Sequence, residues 1–164
     1  MAKTIAAMTG LVLAVLSWPP PTWADASVAA DGGMLSGEQK VTFHEFRPER
    51  GSLDEIPMFC GIPGSALDLS RITAVQGLTA SECGTILKVV NPTRPDIPPQ
   101  YVMAVDRGGR GLDLNTDTFK ALNGGSLSEG LVPAKWEPVS SSFGEGILLD
   151  DRFAGELPGL ASRE

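Results

Sequence analysis

The sequence predicts a mainly β protein with one or two short helices. Glycine and proline are frequent, with 19 and 13 of the 164 residues, whereas stretches with helical periodicity are scarce. That combination favours short strands joined by many turns. Hydrophobic residues make up 42% of the chain, which is enough for one buried core of ordinary size. We therefore expect one globular domain, which spans residues 41–139.

The first 26 residues have the pattern of a signal peptide. Lys3 supplies the positive start, residues 5–18 are uncharged and mostly apolar, and three prolines then break the segment. The alternative, a membrane anchor, needs about 20 apolar residues, which is longer than this run. We expect a secreted, extracellular protein with no membrane contact after signal removal. Residues 27–40 are small and polar, and predict a flexible leader.

The formal net charge of −7 disfavours nucleic acid and anionic lipid as ligands, because both carry negative charge. A neutral polysaccharide or a secreted protein fits this charge better. A single histidine and two cysteines offer too few soft ligands for a metal site, and no cofactor is expected. The protein is expected to be a monomer.

Four segments carry the strand signals. Residues 41–46 alternate apolar and polar side chains, residues 72–75 are a short apolar segment, and residues 84–91 are rich in β-branched side chains. Residues 101–105 are the expected partner of 84–91. The link between these two, residues 92–99, holds four prolines and must be an exposed loop, since proline cannot donate to a central ladder.

One short helix is predicted after Asn115, whose side chain can cap the first turn. Leu114 and Phe119 flank this cap at the spacing of a hydrophobic staple, and Asn123 with the glycines after it ends the helix.

A last strand is predicted around Val132, Ala134 and Trp136, which share one face. Pro133 indicates that it runs along a sheet edge. Residues 140–164 are rich in serine and glycine and then acidic, and predict a flexible or loosely packed tail.

Three segments together resemble a known family. They are residues 72–76 leading to 83–91, the Asp-Arg-Gly turn at 105–109, and Leu-Asp-Leu-Asn at 112–115 followed by Phe119. Their order and spacing are similar to the double-psi β-barrels of rare lipoprotein A, the expansins and the barwins. The resemblance implies a six-stranded double-psi β-barrel.

Two cysteines in an oxidising compartment allow one intramolecular disulfide, between Cys60 and Cys83. In the chain-entropy model it would contribute about 3 kcal/mol. Family members of fungal origin have a cysteine where this chain has Gly108, so the resemblance leaves Cys83 as the partner of Cys60.

Two carboxylates flank a glycine-rich turn at residues 108–111. Asp106 ends an apolar strand and Asp113 follows seven residues later. Such a pair can do general acid–base work on a glycosidic bond, which makes Asp106 the candidate catalytic residue. The alternatives are structural: Asp106 braces the barrel, and Asp113 caps the helix. A groove lined by Gln76, Asp113, His44, Arg107 and Tyr101 is expected beside Asp106.

The resemblance also implies what is missing. Relatives that cleave peptidoglycan carry a catalytic histidine where this chain has Gln76, and glutamine cannot accept and return a proton near neutral pH. His44 could take its place only if it lay close to Asp106. Four aromatic residues are candidates for stacking on sugars: Phe43, Phe46, Tyr101 and Trp136.

Three functions follow. The leading interpretation is a secreted, non-catalytic barrel that binds cell-wall polysaccharide or a protein partner. The second is a glycan-cleaving enzyme of lytic transglycosylase or endoglucanase type that uses Asp106. The third is a secreted protease inhibitor or effector, with the 92–99 loop or the 108–111 turn entering a protease cleft.

Overall fold

Six strands close into a barrel. The computed structural model describes residues 33–46 and 57–161, so the predicted signal peptide lies outside the described residues. The strand order around the barrel is β1-β5-β2-β4-β3-β6, with parallel pairs β1–β5 and β2–β4 and four antiparallel pairs. This confirms the predicted six-stranded, mainly β fold. The strands are β1 (Gly37–His44), β2 (Ile72–Val75), β3 (Ile86–Val90), β4 (Gln100–Arg107), β5 (Leu112–Asn115) and β6 (Val132–Pro138).

The barrel interior is filled by alternate side chains of the strands, as the two-residue period of a strand requires. Val132, Ala134 and Trp136 of β6 are all buried, and the Trp136 indole Nε1 donates a hydrogen bond of 2.8 Å to the backbone oxygen of Met34. Trp136 is therefore a core residue with a satisfied polar atom, and its ring is not an exposed platform for stacking on a sugar.

Helix α1 (Thr116–Leu122) begins and packs as predicted. Asn115 accepts a 2.8 Å hydrogen bond from the backbone N–H of Asp117, and Leu114 and Phe119 are fully buried. The Phe119 ring lies 4.8 Å from the ring of Phe43, between centroids. The helix thus closes one end of the barrel.

Strand β1 begins at Gly37, four residues before the predicted start. Residues 38–40 are exposed and polar, and pair with β6. Strand β6 in turn pairs with both β1 and β3, so the prediction of an edge strand was wrong. A closed barrel has no edge strands. Pro133 lies opposite Lys40 of β1 within the barrel.

A second apolar layer covers the outside of β2, β4 and β3. The outward side chains of Ile72, Met103 and Ile86 are at most 1% exposed. They are covered by chain segments 57–71 and 140–161, which contribute the buried side chains of Ile62 and Ile147.

Residues 140–161 are held by specific contacts where the sequence predicted a flexible or loosely packed tail. They contain two 3-10 turns, Ser141–Gly144 and Asp151–Glu156, and the short helix α2 (Pro158–Ala161). Backbone hydrogen bonds of 2.8 Å join Ile147 to Asp68 and Leu149 to Ala66. The last three residues of the predicted tail lie outside the described residues.

The predicted disulfide between Cys60 and Cys83 is present. It joins the 57–71 segment to the turn before β3, and the backbone oxygen of Cys83 accepts a 2.7 Å hydrogen bond from Gly159 of α2. Both outer segments are therefore tied to the barrel at one place.

No helix among residues 33–46 and 57–161 combines the length and the hydropathy that crossing a bilayer requires.

Candidate functional site

A bulge in β4 places Asp106 on the outer surface. Thr73 lies opposite Ala104, but the next residue, Ala74, lies opposite Asp106, so Val105 is the extra residue. Bulges of this kind redirect the side chains that follow them. Here Val105 is fully buried and Asp106 takes the outward position beside Ala74.

Asp106 belongs to a row of four side chains across four strands. Ala74 also lies opposite Asp113, and Asp113 lies opposite Thr42. Residues directly opposite each other share one face of a sheet. Since neighbouring strands are roughly 4.8 Å apart, the two aspartate Cα atoms are roughly 10 Å apart, with the methyl group of Ala74 between them. We call Asp106, Ala74, Asp113 and Thr42 the carboxylate row.

The Asp106 carboxylate braces the chain with one oxygen. Its Oδ1 accepts hydrogen bonds of 2.9 Å from the backbone N–H of Phe59 and 2.8 Å from that of Arg107. Within residues 33–46 and 57–161, Oδ2 has no hydrogen-bond partner. The half-buried side chain of Asp106 therefore braces the chain with Oδ1 and leaves Oδ2 open as an acceptor.

Asp113 has a similar arrangement. Its Oδ1 accepts a 2.7 Å hydrogen bond from the Thr42 hydroxyl, and its Oδ2 has no such partner in the described part of the chain. The helix cap is Asn115, so Asp113 is not used for capping. The carboxylate row therefore presents two open carboxylate oxygens on one surface.

Gln76 holds the glycine-rich turn beside this row. Its side-chain Oε1 accepts a 3.0 Å hydrogen bond from the backbone N–H of Gly111, and its backbone N–H donates a 2.8 Å hydrogen bond to the backbone oxygen of Gly111. Gly108 lies close to the Ala74 methyl group, since a Cβ on Gly108 would be 3.8 Å from it. Gln76 thus positions residues 108–111 through its side-chain oxygen and its backbone.

His44 and Tyr101 lie apart from Asp106. His44 ends β1, three strands from β4 in the barrel order, which corresponds to roughly 14 Å around the barrel. Its ring contacts Phe46 edge-on, with centroids 5.2 Å apart. Tyr101 is on the same strand as Asp106 but near its other end, roughly 15 Å away. The structure groups Asp113, Gln76 and Arg107 with Asp106, but not these two.

Phe59, which the sequence did not single out, lies next to the carboxylate row. Its ring is covered on one side by the Arg107 guanidinium, 3.9 Å from the ring centroid, and the residue is 39% exposed. Arg107 is itself fixed, because its Nε donates a 2.7 Å hydrogen bond to the Leu78 oxygen. The position of Phe59 directly before Cys60 was the available signal, since a disulfide-bonded neighbour fixes a loop residue. We call the carboxylate row with Phe59 the row site.

Among the described residues, 33–46 and 57–161, no three His, Cys, Asp or Glu side chains are grouped so that they could hold a metal ion.

Comparison with protein-family models and with curated proteins gives no match.

Solved structures do match. The crystal structure of the apo expansin of Clavibacter michiganensis aligns with a TM-score of 0.50 and 24% identity, covering 63% of this chain and 50% of that chain. A mutant of that expansin in complex with cellohexaose aligns with a TM-score of 0.51 and 21% identity, covering 65% and 51%. The chain thus spans about half the length of the expansins it matches. It has the fold of an expansin/barwin-like double-psi β-barrel.

Proposed function

We propose that this chain is a secreted, non-catalytic barrel that binds cell-wall polysaccharide at the row site. The observation that carries the proposal is the pairing of two open carboxylate oxygens, on Asp106 and Asp113, with the exposed ring of Phe59. The fold shared with an expansin that was solved with cellohexaose supports the same class of ligand.

The chemistry of the row site suits a neutral sugar chain. Carboxylate oxygens accept hydrogen bonds from hydroxyl groups, and a flat ring packs against the apolar face of a pyranose. Arg107 covers the other side of the Phe59 ring, so the ring plane is set before a ligand arrives. Two negative charges on the row disfavour a polymer that is itself acidic.

Two features support binding without catalysis. Cleavage by two carboxylates needs one to give a proton while the other acts as base or nucleophile. The position at which related transglycosylases have a histidine is Gln76, whose amide oxygen is engaged by Gly111. His44 lies too far from Asp106 to replace it, since proton transfer requires hydrogen-bond reach.

Export is part of the proposal. The pattern of residues 1–26 predicts a signal peptide, and the Cys60–Cys83 disulfide fits an oxidising compartment.

Sedimentation with insoluble cellulose, chitin and peptidoglycan tests the proposal. We expect the wild-type chain to be enriched on at least one of these polymers. Replacing Phe59→Ala should weaken binding roughly three- to tenfold, the range of an aromatic contact of about 0.5–1.5 kcal/mol. Asp113→Asn should also weaken it, because the open acceptor becomes an amide donor. Leu149→Ala is the matched control, since Leu149 is 62% exposed and lies in the tail.

Two results would contradict the proposal in different ways. Absence of enrichment on every polymer removes the polysaccharide ligand. New reducing or anhydro ends that disappear in Asp106→Ala would show a glycan-cleaving enzyme and remove the non-catalytic part.

A further inference from the structure

A second exposed aromatic surface lies at the other end of β4. The rings of Tyr101 and Phe143 are stacked, with centroids 4.7 Å apart and planes 11° apart. Phe143 is 47% exposed. Because Tyr101 covers one face of the Phe143 ring, its opposite face is the one open to solvent. We call this pair the aromatic stack.

Hydrogen bonds hold the backbone that carries Phe143. The Phe143 N–H donates a 3.2 Å hydrogen bond to the Ser140 oxygen. The Arg71 guanidinium donates to two backbone oxygens of the tail, at 3.1 Å to Phe143 and 3.0 Å to Glu145. Because this backbone is fixed and the Phe143 ring is stacked on Tyr101, the ring has less freedom to lose when a ligand packs on it.

Polar groups continue the surface away from the rings. Tyr101 lies opposite Lys88, and Lys88 lies opposite Glu137. The Lys88 Nζ and Glu137 Oε1 atoms are 3.8 Å apart, with side chains 36% and 58% exposed. The Tyr101 hydroxyl has no hydrogen-bond partner among residues 33–46 and 57–161. Donors and acceptors therefore follow directly after the stacked rings.

A cavity adjoins this polar row. It has a volume of about 190 Å³ between β3 and β6 and is lined by Lys88, Val90, Lys135, Trp136 and Glu137. Lys135 lies opposite Glu38 on the neighbouring strand. Two lysines are thus balanced by two glutamates, so the surface offers hydrogen-bonding groups of both kinds without a strong net charge.

We propose that the aromatic stack, Lys88, Glu137 and the adjoining cavity form a second binding site for a neutral polysaccharide chain. One exposed ring bordered by charged groups is too small for a stable protein interface, which buries about 800 Å² on each partner. The balanced charges give an anion little advantage, whereas hydroxyl groups can use both the lysine and the glutamate. A sugar ring on Phe143 with its neighbour along the Lys88–Glu137 row matches these groups.

The second site would bind the same class of ligand as the row site, on which the proposed function rests. It contains none of the residues of the row site. Between the two sites along β4 lies Met103, which is fully buried beneath the outer segments. The surfaces are therefore separate, and each can be removed without the other.

Isothermal titration calorimetry of the full chain with cellohexaose tests the second site. Phe143→Leu keeps the apolar packing on Tyr101 but removes the flat ring, and should weaken binding roughly three- to tenfold. Lys88→Gln should weaken it by a smaller factor. Leu149→Ala, in the same tail, should leave binding unchanged. In the wild type, the aromatic proton resonances of Phe143 should shift on addition of cellohexaose. This measurement does not depend on the folding of any variant.

The outcomes separate the two sites. Weaker binding in Phe143→Leu with unchanged binding in Phe59→Ala supports the second site and contradicts the row site. The reverse result, or Phe143 resonances that do not move, overturns the second site and leaves the row site standing. Tighter binding of hexagalacturonate than of cellohexaose would overturn the assignment to a neutral chain.

Discussion

At the scale of single residues, Glu82 joins the N-terminal segment to the barrel. Its Oε2 accepts hydrogen bonds of 2.8 Å from the backbone N–H of Thr79, 2.7 Å from the Thr79 hydroxyl and 2.7 Å from the Gly33 N–H. Partial burial raises the pKa of Glu82, but the hydrogen bonds from Thr79 and Gly33 outweigh it and hold the pKa below the ordinary value of 4.5. The charged form is therefore the one that the folded chain prefers.

This preference predicts a pH-dependent contribution to stability. A pKa that is lower in the folded than in the unfolded chain gives stability that is present above pH 4.5 and is lost as the pH falls through the folded value. Glu82→Gln should lower the free energy of unfolding at pH 7 by less than about 1 kcal/mol, because solvent screens this partly exposed group. The difference from wild type should shrink at pH 3. Urea unfolding at both pH values measures it.

Glu129→Gln is the control, since Glu129 is exposed and should show little difference at either pH. A Glu82→Gln effect of equal size at pH 7 and pH 3 would mean that the carboxylate charge makes no contribution.

The sequence predicted site residues best where they are close in the chain. Asp106 and Asp113 flank one short turn, and the structure places both on the carboxylate row. Phe59 was missed, because it reaches this surface through the disulfide-bonded loop and the hydrogen bond to Asp106. His44 lies apart from Asp106 because the strand order of the barrel differs from the order in the chain, and Tyr101 because it is near the other end of β4.

At the scale of elements, the 108–111 turn depends on Gly111. Its φ of +69° is in the left-handed region, and a Cβ there would lie 2.6 Å from the Trp136 ring and also collide with the Gln39 side chain. Gly130 has a similar φ of +64° but open space around it. Substitution of Gly130 therefore measures backbone strain alone, whereas substitution of Gly111 measures backbone strain together with crowding.

Gly130→Ala should lower the free energy of unfolding by about 1–2 kcal/mol from left-handed strain alone. Gly111→Ala should lower it by about 2–5 kcal/mol, since forcing atoms into a packed core adds about 1–3 kcal/mol. Chemical unfolding of both variants measures the difference. Equal losses in the two variants would show that the turn moves away from Trp136 without resistance.

Elements with periodic side chains were predictable, and elements held by backbone pairing were not. Helix α1 and its cap followed from Leu114, Asn115 and Phe119. The first half of β1 is exposed and polar, so nothing in its side chains indicates a strand, and only closure against β6 makes it one. In the tail, Ile147 and Leu157 are fully buried, but the apolar residues of the tail follow neither a helical nor a strand period.

At the scale of the whole molecule, the barrel is covered by a second layer that contains the tail. Ile147 is fully buried, and its backbone oxygen accepts a hydrogen bond from Asp68 at 2.8 Å. The tail also supplies Phe143 to the aromatic stack. The second proposed site therefore exists only while the tail remains docked, which links stability to binding.

Ile147→Ala tests whether the tail is an integral part of the fold. If the tail and barrel unfold together, truncating this side chain should lower the free energy of unfolding by about 2–5 kcal/mol, as in other cores. Leu149→Ala, two residues away but 62% exposed, should change it by less than about 0.5 kcal/mol. If the tail instead detaches before the barrel unfolds, Ile147→Ala would leave the barrel transition unchanged and speed hydrogen exchange only within residues 140–161. That result would contradict a cooperative two-layer fold, because the barrel would then be stable without its cover.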